Sequence, residues 1–227
     1  QEAETFYNAA LDSAIVTLGE GHPLVLQVNS MLAELYAASG LVEEAGLLQE
    51  AVVAGLASSL GKAHPQTIDA RYAGIDWLSG AGDYPTALKA LEPLCMDITA
   101  SYGAYHPQAV DCLIYQASTQ AALGQLAQQE QTYLQVVERL AATAPEIDGK
   151  VFNVMADLAE LYRQQGRYQE SKDLLSGIIQ TALQLNNLEA ANKAKAYLGR
   201  TLKDEGALSR ARVLTEVVLD YGTRHWL

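Results

Sequence analysis

The chain has 227 residues, 27 acids against 15 bases, a formal net charge of −12 and a hydrophobic content of 49%. Apolar content this high at modest charge excludes a disordered chain. A pI near 4.7 argues against a general binder of nucleic acid or anionic membrane, which needs a basic surface. No apolar run reaches the roughly 18 residues of a spanning helix, and the N-terminal residues lack the basic start and apolar stretch of a secretory signal.

A fixed step of 42 residues organises the chain. His-Pro recurs at His22-Pro23, His64-Pro65 and His106-Pro107, and glycines keep the same step at Gly40, Gly82, Gly124 and Gly166. A second series, Gly19, Gly61 and Gly103, runs in parallel, and Gly206 follows Gly166 after 40 residues. Self-similarity at one period in three registers is the signature of a repeat protein.

In chain order the pattern predicts eleven helices: 2–19, 22–38, 41–58, 64–80, 84–101, 106–122, 125–142, 148–164, 167–185, 187–204 and 207–221. The second carries Leu24, Val28, Met31, Leu32 and Leu35 at helical spacing, and the third carries Leu47, Leu48, Val52 and Leu56. Proline suits the first helical position, where its missing N–H costs nothing, and the preceding histidine is placed to act as N-cap. Asp83 and Pro85 mark a start of the same kind. No stretch alternates as a strand, so the expected fold is all-α.

The residues around the glycines carry a resemblance. Leu32-Ala33-Glu34-Leu35-Tyr36 precedes Gly40, followed by Val42 and Ala45, and Leu158-Ala159-Glu160-Leu161-Tyr162 precedes Gly166 and Tyr168. The pattern resembles the tetratricopeptide repeat (TPR). With the turn Leu18-Gly19-Glu20-Gly21-His22-Pro23 repeated as Leu60-Gly61-Lys62-Ala63-His64-Pro65, and varied as Tyr102-Gly103-Ala104-Tyr105-His106-Pro107, it is similar to the longer kinesin-light-chain subtype. The resemblance covers essentially the whole chain. It implies a right-handed superhelical solenoid of antiparallel helix pairs.

On that reading, residues 1–227 form a single array. Residues 1–21 supply the second helix of a preceding repeat, and 22–63, 64–105, 106–147, 148–186 and 187–227 are five helix-pair repeats. A start halfway through a repeat is expected of a region from a longer protein. Gln116, Gln120 and Gln129 depart from the apolar or small residues usual at their positions, and Asp148-Gly149 replaces the fourth His-Pro. Tyr36, Leu78 and Tyr162 share one register and are expected to bury their side chains between helices. Small Ala33, Ala45, Ala87 and Ala159 let helices approach closely, and stacking then buries what one pair cannot.

Little in the sequence suggests chemistry. Three of the four histidines sit in the His-Pro turns, one repeat apart, so they cannot converge on one metal. HExxH, GxxxxGK[ST] and GxGxxG are all missing, and Glu43-Glu44 at a helix start suits the helix dipole. Cys95 and Cys112 make no CxxC pair and no disulfide framework. Each reads as a small buried hydrophobe, with a reducing, cytoplasmic setting as the default. No enzymatic activity, cofactor or metal is expected.

The resemblance implies instead a concave groove lined by the first helix of each pair, receiving a partner segment. Carried over by register, the groove positions are Gln27, Ser30, Glu34 and Ala37, then Asp69, Tyr72, Asp76 and Ser79, then Asp111, Ile114 and Ser118. The fourth repeat gives Asn153, Glu160, Arg163 and Gln164, and the fifth Lys193, Arg200 and Lys203. Residues 1–142 hold sixteen acids and four bases, whereas 145–227 hold eleven of each. An acidic groove that turns basic would orient a charged ligand.

The expected function is a non-catalytic scaffold binding a protein or peptide, with no nucleic-acid partner and no membrane insertion. The alternative is a ligand- or partner-sensing regulatory region of a larger signalling or transcription protein. Self-association, with the apolar ends or the convex face stacking on another copy, is a third course.

Overall fold

The three His-Pro turns start helices as the sequence predicts. In each, the histidine sits in extended conformation before Pro at the first helical position. Its Nδ1 accepts the N–H two residues on, from Leu24 at 3.2 Å, Gln66 at 3.3 Å and Gln108 at 3.3 Å. One of the orphan donors at each helix start is thereby satisfied. Asp83 does the same for the Thr86 N–H at 3.2 Å, and Asn187 for that of Ala190 at 3.0 Å.

The structure, a computed structural model, describes residues 2–143 and 149–214. It divides into two units, Gln1–Gly124 and Gln125–Leu227. The first holds α1 (Glu2–Leu18), α2 (Pro23–Ala38), α3 (Val42–Leu60), α4 (Pro65–Gly80), α5 (Tyr84–Tyr102) and α6 (Pro107–Ala122). The second holds α7 (Leu126–Thr143), α8 (Gly149–Gln164), α9 (Tyr168–Gln184) and α10 (Leu188–Asp204). A further helical stretch covers 208–214, and no strand occurs among the described residues. The rest of the expected helix 207–221, the terminal His225-Trp226-Leu227 and Asp148 lie outside the described residues.

Within each unit every helix packs on its neighbours in sequence, and in the second unit α10 also contacts α8. Such local stacking is how a helix pair that cannot close its own core becomes stable. In the first unit a buried cluster joins Ile68 and Ile75 of α4 to Leu91, Leu94 and Ile98 of α5. In the second, Phe152 of α8 meets Leu175 and Ile178 of α9, with Ala191 and Ala194 of α10 closing on them. The glycines ending the helices adopt positive φ, +100° at Gly61 for example, a region open to glycine without steric penalty. Between α9 and α10 that task falls to Asn186 at φ 55°. Asparagine tolerates this conformation, and the turn it makes is shorter than the His-Pro kind.

Three sequence expectations are corrected. First, α2 and α3 bury only part of the faces expected, Leu32 and Val52 among them. Val25, Leu26, Asn29, Leu32 and Ala33 are buried in α2, while Leu24 and Met31 are exposed. In α3, Ala45, Gln49 and Val52 are buried while Leu47 is 70% exposed. Both helices are apolar on nearly all sides, so periodicity does not fix their rotation. Second, Tyr36, Leu78 and Tyr162 are half-buried, not enclosed. Tyr162 presents its ring to the Arg167 guanidinium at 4.1 Å.

Third, Cys95 and Cys112 are not separate thiols. Cys95 of α5 and Cys112 of α6 are joined in a buried disulfide, with Cα atoms 5.5 Å apart. The ground for expecting a reducing compartment falls with the free-thiol reading, since disulfides persist in oxidising surroundings. Among the described residues no helix is long and apolar enough to cross a membrane.

Candidate functional site

The first helix of each pair carries the residues expected to meet a partner. In the first unit, Gln27 and Glu34 of α2 are exposed and Ser30 is half-buried. Asp69 and Asp76 of α4 are exposed, as are Asp111 and Ser118 of α6, while Tyr72 and Ile114 are half-buried. Residues three, four or seven apart share one helical face, which is why each helix offers several of these side chains together.

The structure draws part of this set into one cluster on α4 and α6. Tyr72 stacks on Tyr115 with ring centroids 6.1 Å apart and planes 15° from parallel. The Tyr115 hydroxyl donates to Asp76 Oδ1 at 2.6 Å and lies 3.2 Å from the Ser79 hydroxyl. Burial pushes the Tyr72 phenol up to about 12, helped by the negative charge of Asp111. Burial likewise holds Tyr115 at about 12, reinforced by its bond to Asp76. Two neutral phenol rings thus form a flat apolar platform edged by the carboxylates of Asp76 and Asp111.

In the second unit the bases do not stand alone. Lys193 of α10 donates to Asn153 of α8 at 2.7 Å. Arg163 binds Glu160, with Nε to Oε2 at 2.9 Å, and also Asp204. The Arg163 hydrogen bond holds the Glu160 carboxyl below its ordinary value. Asp157 is pushed the other way by burial, against the pull of Lys193. Arg200 is exposed and lies over the Tyr197 ring at 5.0 Å; Gln164 and Lys203 are exposed as well. Of the basic stretch read from the sequence, Arg163 is therefore matched by acids, while Lys193 meets an amide and Arg200 a ring.

Sequence reasoning missed Tyr115, Asp157, Tyr197 and Asp204. The first three share one register, which begins at Met31 and Ala73 and continues through Tyr115, Asp157 and Tyr197. It lies one position, about 100° of helix rotation, after the Tyr72 register. Among the described residues no group of acids, histidines and cysteines is placed to hold a metal ion.

The model of the tetratricopeptide repeat matches residues 151–182, which span most of α8 and α9. No curated protein matches. Among solved structures, the chain is similar to the nearly identical TPR-like repeats of a protein described as a kinesin light chain of Podosopora anserina. That likeness has 26% identity and a TM-score of 0.70, over 89% of this chain and 97% of that one. BtubC (BKLC) from P. vanneervenii shares the fold at 16% identity and a TM-score of 0.69, over 98% of this chain and 89% of that one. So does a signal-transduction ATPase with a tetratricopeptide-repeat sensor from Pyrococcus horikoshii, at 16% identity and a TM-score of 0.67, over 96% of this chain and 33% of that one. Joined to a 42-residue step and histidine-capped turns, these findings place a tetratricopeptide repeat at residues 151–182 of a fold similar to the kinesin-light-chain-type arrays.

Proposed function

We propose that the chain is a non-catalytic scaffold that holds a protein or peptide segment on the groove formed by its first helices. The observation that carries this reading is the Tyr72–Tyr115 stack, half-exposed and flanked by Asp69, Asp76 and Asp111. Aromatic side chains supply large contact area at small entropy cost, and acids around them select a partner with bases beside an apolar residue. The net charge of −12 sets the same surface against nucleic acid. The division into repeats 22–63, 64–105, 106–147, 148–186 and 187–227, which puts the two tyrosines in neighbouring repeats, is part of the proposal.

Selection of random peptides displayed on phage, against the immobilised 227-residue chain, tests it. Enriched sequences pairing Lys or Arg with an aromatic or aliphatic residue, and losing binding to a Tyr72→Ala chain, are the expected result. Absence of enrichment, or enrichment of acidic sequences indifferent to Tyr72, overturns it. A second reading, a sensing region of a larger signalling protein, draws support from the likeness to the repeat sensor of the Pyrococcus ATPase. It is separated from the first by whether an effector segment adjoins this region in the gene.

A further inference from the structure

Tyr115 of α6 and Tyr197 of α10 are the two tyrosines of one register, and both are half-buried. Their surroundings differ three residues on. Arg200 follows Tyr197 on the same face of α10 and lies over its ring at 5.0 Å. The Arg200 charge also reaches Glu160 of α8, adding to the lowering that the Arg163 hydrogen bond chiefly causes. On α6 the equivalent residue is Ser118, which is exposed and turns its hydroxyl back to donate to the Ile114 carbonyl at 3.0 Å. A side chain this short cannot cover the Tyr115 ring. The acid is kept, however, because Asp76 of α4 stands in the register of Glu160.

The chain uses a guanidinium over a tyrosine twice, each time with carboxylates at hand. Besides Arg200, Arg167 lies over Tyr162 at 4.1 Å while it binds Glu130 and Glu170, each at 2.7 Å. A guanidinium is planar and weakly hydrated, so it can spread over a ring face and fork onto an acid in the same pose. In the first unit the rings and acids are present without that cation. Neither α2 nor α6 contains a base, and the arginine of α4, Arg71, is bound to Asp97 at 2.7 Å. Asp76 gives Oδ1 to the Tyr115 hydroxyl and is exposed, which leaves its carboxylate within reach of a further donor.

We propose that the tyrosine platform selects arginine over lysine: a guanidinium of the bound segment lies over the Tyr115 ring and donates to the Asp76 carboxylate, taking the place that Arg200 fills over Tyr197. This rests on the scaffold reading above and names the residue that the scaffold recognises. The negative charges of Asp69 and Asp111 draw either base toward the platform. Only the flat cation matches the ring and the acid together, because a lysine ammonium is compact and strongly hydrated.

Titration of the whole 227-residue chain, followed by the NMR shifts of its tyrosine rings, tests this with three capped tripeptides. They are acetyl-leucyl-arginyl-leucine amide and its counterparts with lysine and with citrulline, which keeps the planar shape without the charge. The arginine peptide is expected to move the Tyr115 and Tyr72 signals with Kd below about 10 mM. It should bind about three- to fivefold tighter than the lysine peptide, and the citrulline peptide should bind weakest. Ser118→Arg, which supplies the guanidinium from α6 itself, should weaken the arginine peptide several-fold without lowering the melting temperature. Ser118→Lys adds the same charge without the plane and should weaken it less. The assignment is overturned if the lysine or citrulline peptide binds as well as the arginine one, if neither ring signal moves, or if Ser118→Arg and Ser118→Lys weaken binding equally. Peptides from the phage selection that need Tyr72 but accept lysine as readily as arginine overturn the arginine assignment alone and leave the scaffold reading standing.

Discussion

Tyr115 of α6 donates its hydroxyl proton to Asp76 of α4 at 2.6 Å, and through that bond its ring is held against Tyr72. Both phenols ionise near 12, above the usual 10, because burial disfavours the phenolate. A folded-state value above the unfolded one means stability that is complete below about pH 10 and lost as pH rises through 12. Alkaline titration should therefore show two late-ionising tyrosines by tyrosinate absorbance, with unfolding in that window. Asp76→Asn should bring Tyr115 down, and Tyr115→Phe should remove one late step while costing about 0.5–1.5 kcal/mol in urea.

On the acid side two neighbouring carboxylates of α8 act in opposite senses. Glu160 is lowered from 4.5 by the Arg163 hydrogen bond, so its contribution is present above that value and disappears as pH falls through the lowered one. Asp157 is raised from 3.8 by burial, so its favourable term is present below that value and lost as pH rises through the raised one. Glu160→Gln should therefore destabilise at pH 7, and Asp157→Asn should stabilise there. Both differences should close in urea melts repeated at strongly acid pH.

The disulfide gives a third expectation. Cys95 and Cys112 are 17 residues apart and both sulfurs are buried. A cross-link closing a loop of that size removes about 3 kcal/mol of unfolded-state entropy. The paired Cys95→Ala, Cys112→Ala chain should melt well below the oxidised wild type and close to the reduced one. A melt indifferent to reductant would show that the bond does not form in solution.

That bond also marks where the sequence stops being legible. The helix ends were readable to within about two residues, because glycines with positive φ and histidine caps act locally. The pairing was not read, because Cys95 shares a register with Val53, Val137 and Ile179, and Cys112 with Val28, Ala70 and Val154. Each passes for an ordinary core position. Only their equal distances from the turn at Gly103-Ala104 bring them face to face on antiparallel helices. The Tyr115 register was passed over for a related reason. It opens with Met31 and Ala73, which carry no polar signal, so its partners appear only when α4 and α6 are set side by side. The buried faces of α2 and α3 were read only in part, Leu32 and Val52 but not Val25 or Ala45, because apolar residues surround both helices and packing against neighbours chooses the face.

His64 tests the reading of the turns as structure alone. Its Nδ1 accepts from the Gln66 N–H at 3.3 Å, and the Thr67 hydroxyl donates to the Gly61 carbonyl at 2.9 Å in the same turn. With a second side chain holding the turn, His64→Ala should cost about 1 kcal/mol or less, as loss of an N-cap does. His64→Asn should recover most of it, because a short side-chain oxygen reaches the same N–H. A loss of metal or partner binding in His64→Ala, without loss of stability, would assign the histidine a different task.

The acidic edge of the tyrosine platform makes the last expectation, which uses a peptide from the selection described above. Asp69 and Asp111 are exposed and occupy one register on α4 and α6. Asp76 is left intact, because reversing it would also break its bond to Tyr115. Exposed pairs of this kind are worth about 0.2–1 kcal/mol each, so Asp69→Lys with Asp111→Lys should weaken a basic peptide several-fold at low salt. The loss should appear mainly in the association rate, and it should shrink as salt screens the charges. Asp111 also helps to hold the Tyr72 phenol at about 12, so the same double variant should lower that ionisation. This second readout shows whether the reversal acts at the platform itself. If Tyr72 moves while association is unchanged at both salts, the acids tune the tyrosine without steering a partner. If both move, the platform and its acidic edge work as one binding surface.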